Sequence, residues 1–314
     1  MKLQQLRCLT EVARRGLNVS ETAEALHTSQ PGVSKQIRAL EDELGVEVFV
    51  RHGKRLVAIT EPGKAVVAIA ERMLAEAQNL RRAGEEFAND QLGTLTIAAT
   101  HTQARYALPK AVAAFKRRYP KVELRIQQGN PTQICEQVLT GEADMGVATE
   151  MISQYSDLIS LPVYQWNRCV VVPAKHPLLK ETPLTLEKLA EHPIVTYDFA
   201  FANRSLVQKA FEARGLKPQV VLSAQDSDVI KTYVELGLGV GILAKMAFDA
   251  KRDVQLRAID ASHLFESSTT RLGIKRGAYL RRYAYDFIGT FAPHLPAATV
   301  EQAVKGQEGS RYEL

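Results

Sequence analysis

Ser29-Gln30-Pro31-Gly32-Val33-Ser34-Lys35-Gln36-Ile37-Arg38-Ala39-Leu40 is the stretch that decides how the first sixty residues fold. Ser29 is a helix N-cap residue, and Pro31 falls in the first turn, where a missing N–H costs nothing. Val33, Ile37, Leu40 and Leu44 recur on one face and are expected to pack inward, leaving Gln30, Ser34, Lys35 and Arg38 on the other. Upstream, Leu3, Leu6, Leu9 and Val12 mark a first helix ending near Gly16. Asn18, with Glu21 three residues on, caps a short second helix through Leu26, and His27-Thr28 forms a tight break. Two short helices joined by such a break, the second rich in amide, hydroxyl and base at its start, read as a helix-turn-helix. The chemistry suits the major groove: Gln30 can pair with an adenine edge, Ser34 can reach a base or phosphate, and Lys35 and Arg38 can reach guanine or phosphate.

An ordinary solvated helix face would carry the same residues, and the next segment weighs against it. Gly45 ends the helix, Val46–Val50 and Leu56–Thr60 read as strands, and Arg51-His52-Gly53-Lys54-Arg55 joins them as a basic turn. A basic wing beside a recognition helix holds a duplex backbone. Thr60 can then cap a long helix with Pro62 just inside its start. Along it Val66, Ala70, Met73, Ala77, Leu80, Gly84 and Phe87 alternate in steps of four and three, a heptad seam for self-pairing. A dimer supplies two recognition helices for two half-sites.

After Gly93 the pattern changes to strands alternating with helices. Thr94–Thr100, Lys121–Gln127, Ala143–Ala148, Cys169–Val172, Ile194–Tyr197, Val220–Ser223 and Gly241–Leu243 read as strands of a parallel α/β sheet. Residues 91–314 are too many for one such sheet, so two lobes are expected, with chain crossings near Leu161–Trp166 and Phe265–Thr269. A ligand then belongs in the cleft, at strand carboxyl ends and helix N-termini. Thr100-His101-Thr102-Gln103 stands at such a turn and forms a neutral cradle for a small anion, with Thr149 at the same sheet edge.

Composition bounds the remaining possibilities. The 314 residues are 46% hydrophobic and 24% charged with a net charge of +5, which argues for a folded chain with a mild lean toward polyanions. No apolar run is long enough to span a bilayer, and residues 1–16 hold no apolar signal core, so a cytoplasmic protein without membrane contact is expected. Three scattered cysteines fit a reducing compartment, and Cys135 and Cys169 sit in apolar runs that read as packing. Gly237-Leu238-Gly239-Val240-Gly241 does not open a helix after a first strand, so its glycines read as close backbone packing rather than a phosphate loop. There is no metal-ligand spacing and no catalytic constellation. No enzyme activity, cofactor or metal is expected.

The residues also carry a resemblance. Ala23, Leu26, Ser29 through Ile37, Leu40-Glu41, Leu44-Gly45, Phe49, Arg51, Arg55, Thr60 and Gly63 resemble the N-terminal signature of LysR-type transcriptional regulators. That resemblance implies a winged helix-turn-helix domain at 1–60 and a dimerising linker helix at 61–90. It also implies a two-lobed α/β effector domain, like a periplasmic binding protein, at 91–314. Lobe I would take about 91–162 and 268–294, and lobe II about 163–267. Gln30, Pro31, Ser34, Lys35, Arg38, Arg51, Lys54 and Arg55 are its candidate DNA-facing residues.

Thr100 through Pro109, Pro131 through Ile134, Ala148-Thr149-Glu150, Trp166-Asn167-Arg168, Val195-Thr196-Tyr197, Asp228 through Val234 and Tyr285 through Ile288 are similar to the CysB-like branch. This implies control of sulfur assimilation and cysteine biosynthesis genes, through promoter DNA and a homodimer or homotetramer. The implied effector is sulfate, thiosulfate, O-acetylserine or N-acetylserine, held at Thr100, Thr102, Gln103, Thr149, Trp166 and Asn203. Ala202 stands where the branch usually has Thr, which removes one donor and leaves a LysR-type regulator of a different pathway as the alternative. A solute-binding module, which shares the two-lobed layout, is the more distant one.

Overall fold

A computed structural model describes residues 1–53, 55–88, 92–198 and 206–306. Lys54 of the wing, and Ala202, Asn203 and Ser205, lie outside the described residues. The chain divides into two compact units, Met1–Glu85 and Glu86–Leu314.

The first unit opens with α1 (Leu3–Arg14), α2 (Val19–Ala25) and α3 (Gln30–Leu44), followed by β1 (Phe49–His52), β2 (Arg55–Ile59) and the start of α4 (Glu61–Ala88). The expected caps are in place: Asn18 accepts from the Ser20 and Glu21 amides, and Ser29 Oγ accepts from Gly32 N at 3.2 Å. Leu6, Leu9, Val12, Val33, Ile37, Leu40 and Phe49 form the core.

Leu44 does not join that core; it is 41% exposed, and Glu41 takes the inward position instead at 6%. The reason is the wing. Glu41 Oε1 accepts from Val48 N at 2.8 Å and Phe49 N at 3.2 Å, and its carboxylate pairs with Arg51. A carboxylate here satisfies backbone donors that no strand partner serves, so the strand begins at Phe49 rather than Val46. Gly63 seats α4 against the same segment, because a Cβ there would lie 2.1 Å from Val48 O. The heptad seam divides. Ala70 is buried and Val66 partly buried against this core, whereas Met73, Leu80 and Phe87 are exposed.

The second unit contains two five-stranded sheets. Its elements, in chain order, are β3 (Gly93–Ala99), α5 (Leu108–Arg118), β4 (Val122–Gln128), α6 (Pro131–Thr140), β5 (Met145–Ala148) and β6 (Leu158–Trp166). Next come β7 (Arg168–Pro173), α7 (Leu186–Ala190), β8 (Ile194–Tyr197), α8 (Leu206–Ala213), β9 (Val220–Ala224), α9 (Ser227–Glu235) and β10 (Val240–Ala244). Last are β11 (Leu256–Asp260), β12 (Ser268–Lys275), α10 (Arg282–Phe291) and α11 (Ala297–Val304). Lobe I has strand order β4-β3-β5-β12-β6, and lobe II has β11-β7-β10-β8-β9.

Neither sheet is wholly parallel, contrary to expectation. β3 runs parallel to β4 and β5, and β8 to β9 and β10, but β12 is antiparallel to both its neighbours, as is β7. The reversed strands are those through which the chain passes between lobes. β6 hands over to β7 across Asn167, and β11 returns to β12. Apolar clusters cover both faces of each sheet, so inner strands such as β5 and β10 are buried throughout. Helix α11, in the tail, buries Val300, Ala303 and Val304 in the lobe I core. The glycines of 237–241 do serve packing: a Cβ on Gly239 would meet Pro193 O at 2.3 Å, and one on Gly241 would meet Val171 Cγ2 at 2.5 Å. Among the described residues no helix is long and apolar enough to cross a membrane.

Replacing Glu41 by Ala removes a charged acceptor from two buried amides and from Arg51. It should destabilise the first unit by about 2 kcal/mol, and Glu41→Gln by less. Urea unfolding of the full chain followed by far-ultraviolet circular dichroism measures both.

Candidate functional site

The parallel strands of lobe I end at one edge, and the residues that follow them line a cleft of about 300 Å³. Thr100 to Gln103 follow β3, Gly129 to Pro131 follow β4, and Thr149 and Glu150 follow β5. Lobe II contributes Thr196, Tyr197 and Asp198 from the end of β8, with Gln225 after β9. Trp166, Arg168 and Ser268 close the cleft at the lobe crossings. Thr100, Thr102, Gln103, Thr149 and Trp166 are therefore brought together; Asn203 is not among the described residues.

They do not play equal parts. The helical turn after β3 begins at His101, so its first amides have no intrahelical acceptor. Thr100 and Thr149 line the cleft, and neither side chain makes a hydrogen bond among the described residues. The Thr102 hydroxyl is 3.1 Å from Ser227 Oγ and 3.5 Å from Tyr197 OH, both of lobe II. Gln103 is 1% exposed, and its side chain is held inside lobe I: Nε2 donates to Thr270 Oγ1 at 3.0 Å, and Oε1 accepts from Tyr164 OH.

Arg168 is the residue that sequence reasoning missed. It is 8% exposed, and no carboxylate lies within ion-pair distance of it among the described residues. Its guanidinium donates to Glu266 O at 3.1 Å and Ser268 Oγ at 2.9 Å, while Nε is buried without a partner among the described residues. Burial pushes its pKa down, against the raising influence of Glu150 and Tyr197. The charge persists, since arginine stays protonated under all ordinary conditions. Its guanidinium carbon sits 5.0 Å from the centre of the Trp166 ring, whose Nε1 is also buried without a partner among the described residues. A buried cation and an unserved indole N–H beside unpaired hydroxyls make a donor-rich wall. The available signal was the lone base between Trp166 and the apolar run Cys169–Val172.

In the first unit, α3 presents Gln30, Pro31, Lys35 and Arg38 exposed and Ser34 partly so. Gln30 Nε2 donates to Ser20 Oγ at 2.5 Å, which ties the start of α3 to α2. Arg55 is exposed in the wing, whereas Arg51 is engaged by Glu41.

Comparison with known proteins adds to this geometry. Residues 3–64 match the model of the bacterial regulatory helix-turn-helix protein, lysR family, and residues 88–296 match the LysR substrate binding domain. The chain belongs to the LysR family of transcriptional regulators. Among its LysR relatives, the HTH-type transcriptional regulator CysB of Burkholderia cenocepacia is 55% identical over all of both chains. The regulator SsuR of the same organism is 54% identical over 96% of this chain and 97% of its own. The crystal structure of the cofactor-binding domain of the Cbl transcriptional regulator superposes with a TM-score of 0.66 and 42% identity, covering 69% of this chain and 95% of that one.

The structure shields the thiols of this chain from solvent. Cys8, Cys135 and Cys169 are all buried. Burial raises Cys8, pushes Cys135 up to about 11 and Cys169 up to about 12, so little thiolate exists near neutral pH. Titration of the folded protein with a chromogenic disulfide reagent should show no fast-reacting thiol, and all three should react once the protein is unfolded.

Proposed function

We propose that this regulator controls genes of sulfur assimilation and cysteine biosynthesis, in the cytoplasm, in response to a small anion held between its lobes. The observation that carries the anion is Arg168, a buried cation with no carboxylate at ion-pair distance among the described residues, beside the Trp166 Nε1 that none of them serves. Taking a charge out of water costs several kcal/mol unless an opposite charge compensates, and a bound anion compensates it. Thr100, Thr102 and Thr149, with the first-turn amides after β3, complete a set of donors suited to sulfate or thiosulfate or to the carboxylate of an acetylserine. Gln103 acts from behind, fixing this turn to Tyr164 and Thr270. Asn203 belongs to the proposed set by resemblance. The similarity to CysB and SsuR supports the sulfur assignment.

On the DNA side, Gln30, Pro31, Ser34, Lys35 and Arg38 enter the major groove, and Lys54 and Arg55 hold the flanking backbone. Arg51 braces the wing through Glu41. Met73, Leu80 and Phe87, exposed at heptad positions of α4, support a homodimer built on that helix and, with it, the division into 1–60, 61–90 and 91–314. A homotetramer pairs two such dimers.

Trp166 is the only tryptophan, so its emission reports directly on the cleft. Titration with sulfate, thiosulfate, O-acetylserine and N-acetylserine should give a saturable change for at least one of them. Arg168→Gln should weaken that ligand about tenfold or more, as should Thr102→Ala to a lesser degree, both without loss of operator binding. Silence from all four in emission and calorimetry refutes the sulfur-linked effector. Lys35→Ala and Arg38→Ala should do the reverse, weakening operator binding and lowering its salt slope by about one each while leaving ligand affinity intact.

A further inference from the structure

The turn that follows Thr102 is wound unusually. Gln103–Ala107 forms a π-helical turn before α5, a rare conformation that is frequent at functional sites. It is held by both lobes at once. Lobe I holds Gln103 through Tyr164 and Thr270. Lobe II holds the two residues near its other end. Tyr106 OH donates to Asp228 Oδ1 at 2.7 Å and accepts from Lys231 Nζ at 3.2 Å, and Arg105 pairs with Asp228. The Tyr106 ring packs on the lobe II apolar cluster that contains Ile230, Val234 and Ala247.

The socket is itself rigidly built. Lys231 Nζ is within 2.9 Å of Asp253 Oδ1 and of Ala247 O, and 3.0 Å from Asp228 Oδ1. Asp253 Oδ2 also accepts from Asp249 N at 2.8 Å. Burial opposes the charge on Asp228, but hydrogen bonds from Tyr106 and Lys231 and the nearby Lys231 and Arg105 charges outweigh it and hold the carboxyl below its ordinary range. With Thr102 against Ser227 and Tyr197, residues 102–106 of lobe I meet residues 227–231 of lobe II in a continuous seam that begins in the cleft wall. The lobes cannot separate along this edge without breaking it.

We propose that Tyr106 is an interlobe latch: seated between Asp228 and Lys231, it holds the lobes at the spacing that the anion requires. This rests on the anion reading of the cleft. Latch and anion favour the same arrangement, so each strengthens the other, and a protein with the latch broken binds the anion only in the fraction of molecules that still adopt that arrangement. Tyr106 is a positioning residue that touches no ligand.

The test uses the full chain and two conservative variants, Tyr106→Phe and Asp228→Asn, with sulfate as probe. Hydrogen exchange read by mass spectrometry should quicken in residues 100–108 and 226–236 of each variant and stay unchanged in residues 1–85. Sulfate affinity from Trp166 emission should fall about tenfold in each and no further in the double variant, because the two groups act as one. Saturating sulfate should restore slow exchange, which a merely damaged fold would not permit. Unchanged exchange in both segments, or losses that multiply in the double variant, overturns the latch. If sulfate leaves the wild-type chain unaffected in emission and calorimetry, the anion reading fails, and the exchange comparison alone decides the latch.

Discussion

Trp166 and Ser268 face each other at the end of the antiparallel ladder between β6 and β12, whose other end pairs Leu158 with Lys275. That rung is where the chain leaves lobe I and where it returns, so both crossings lie side by side. Everything in the second unit follows from this constraint. The strand by which the chain enters each sheet after a crossing, β7 or β12, runs against both its neighbours, so each sheet has four strands pointing one way and one reversed. The carboxyl ends of the parallel strands of the two lobes then line one cleft, with the crossings as its floor. Arg168, the first residue of β7, donates to Ser268 Oγ, the first residue of β12, and so ties the outgoing crossing to the returning one.

The two units illustrate opposite uses of a buried charge. Glu41 is surrounded by what a carboxylate needs: two backbone amides and a guanidinium. Its desolvation is compensated inside the chain, so its work is structural, fixing the wing to α3. Arg168 is nearly as buried but has only a carbonyl and a hydroxyl as acceptors. Neutral acceptors compensate a buried cation less than a carboxylate does. The remaining imbalance is the physical reason to place an anion beside it, and the unserved indole N–H of Trp166 adds direction to that charge.

What could be read from sequence divides along the same line, between local and distant causes. Caps are local, and Asn18 and Ser29 were legible because the acceptor and its amides lie within three residues. β8, bounded by Pro193 and strongly patterned, was placed to the residue. β6 was read only as a crossing, since Pro162 interrupts it and its burial alternates irregularly. β11 went unread because it is an edge strand whose Arg257 and Asp260 look like loop residues. Strand direction leaves no mark on composition, so the reversed strands could not be foreseen. Leu44 was assigned inward by periodicity, which does not anticipate that Glu41 would be needed by the wing. The cleft hydroxyls were legible from their place after β3 and β5. The partner of Thr102 was not, because Ser227 lies 125 residues away.

That distance bears on how the cleft works. Thr100 and Thr149 belong to lobe I, Arg168 stands at the crossing, and Tyr197 belongs to lobe II, so the polar lining of the cleft is divided between the lobes. On the proposed reading, an anion is bound only when the spacing between lobes is right, and binding energy is thereby converted into a preference for that spacing. Thr102 is the residue where this conversion is most direct, since its hydroxyl already contacts the opposite lobe. A ligand that engages Thr102 must accept alongside Ser227 and Tyr197 rather than displace them, or it would loosen the seam it depends on. A neutral hydroxyl can donate and accept at once, which a lysine, a donor only, or a carboxylate, an acceptor only, at the same position could not do. A cleft edged by threonines, with one buried cation behind them, is therefore suited to reading the position of its lobes as well as the charge of its ligand.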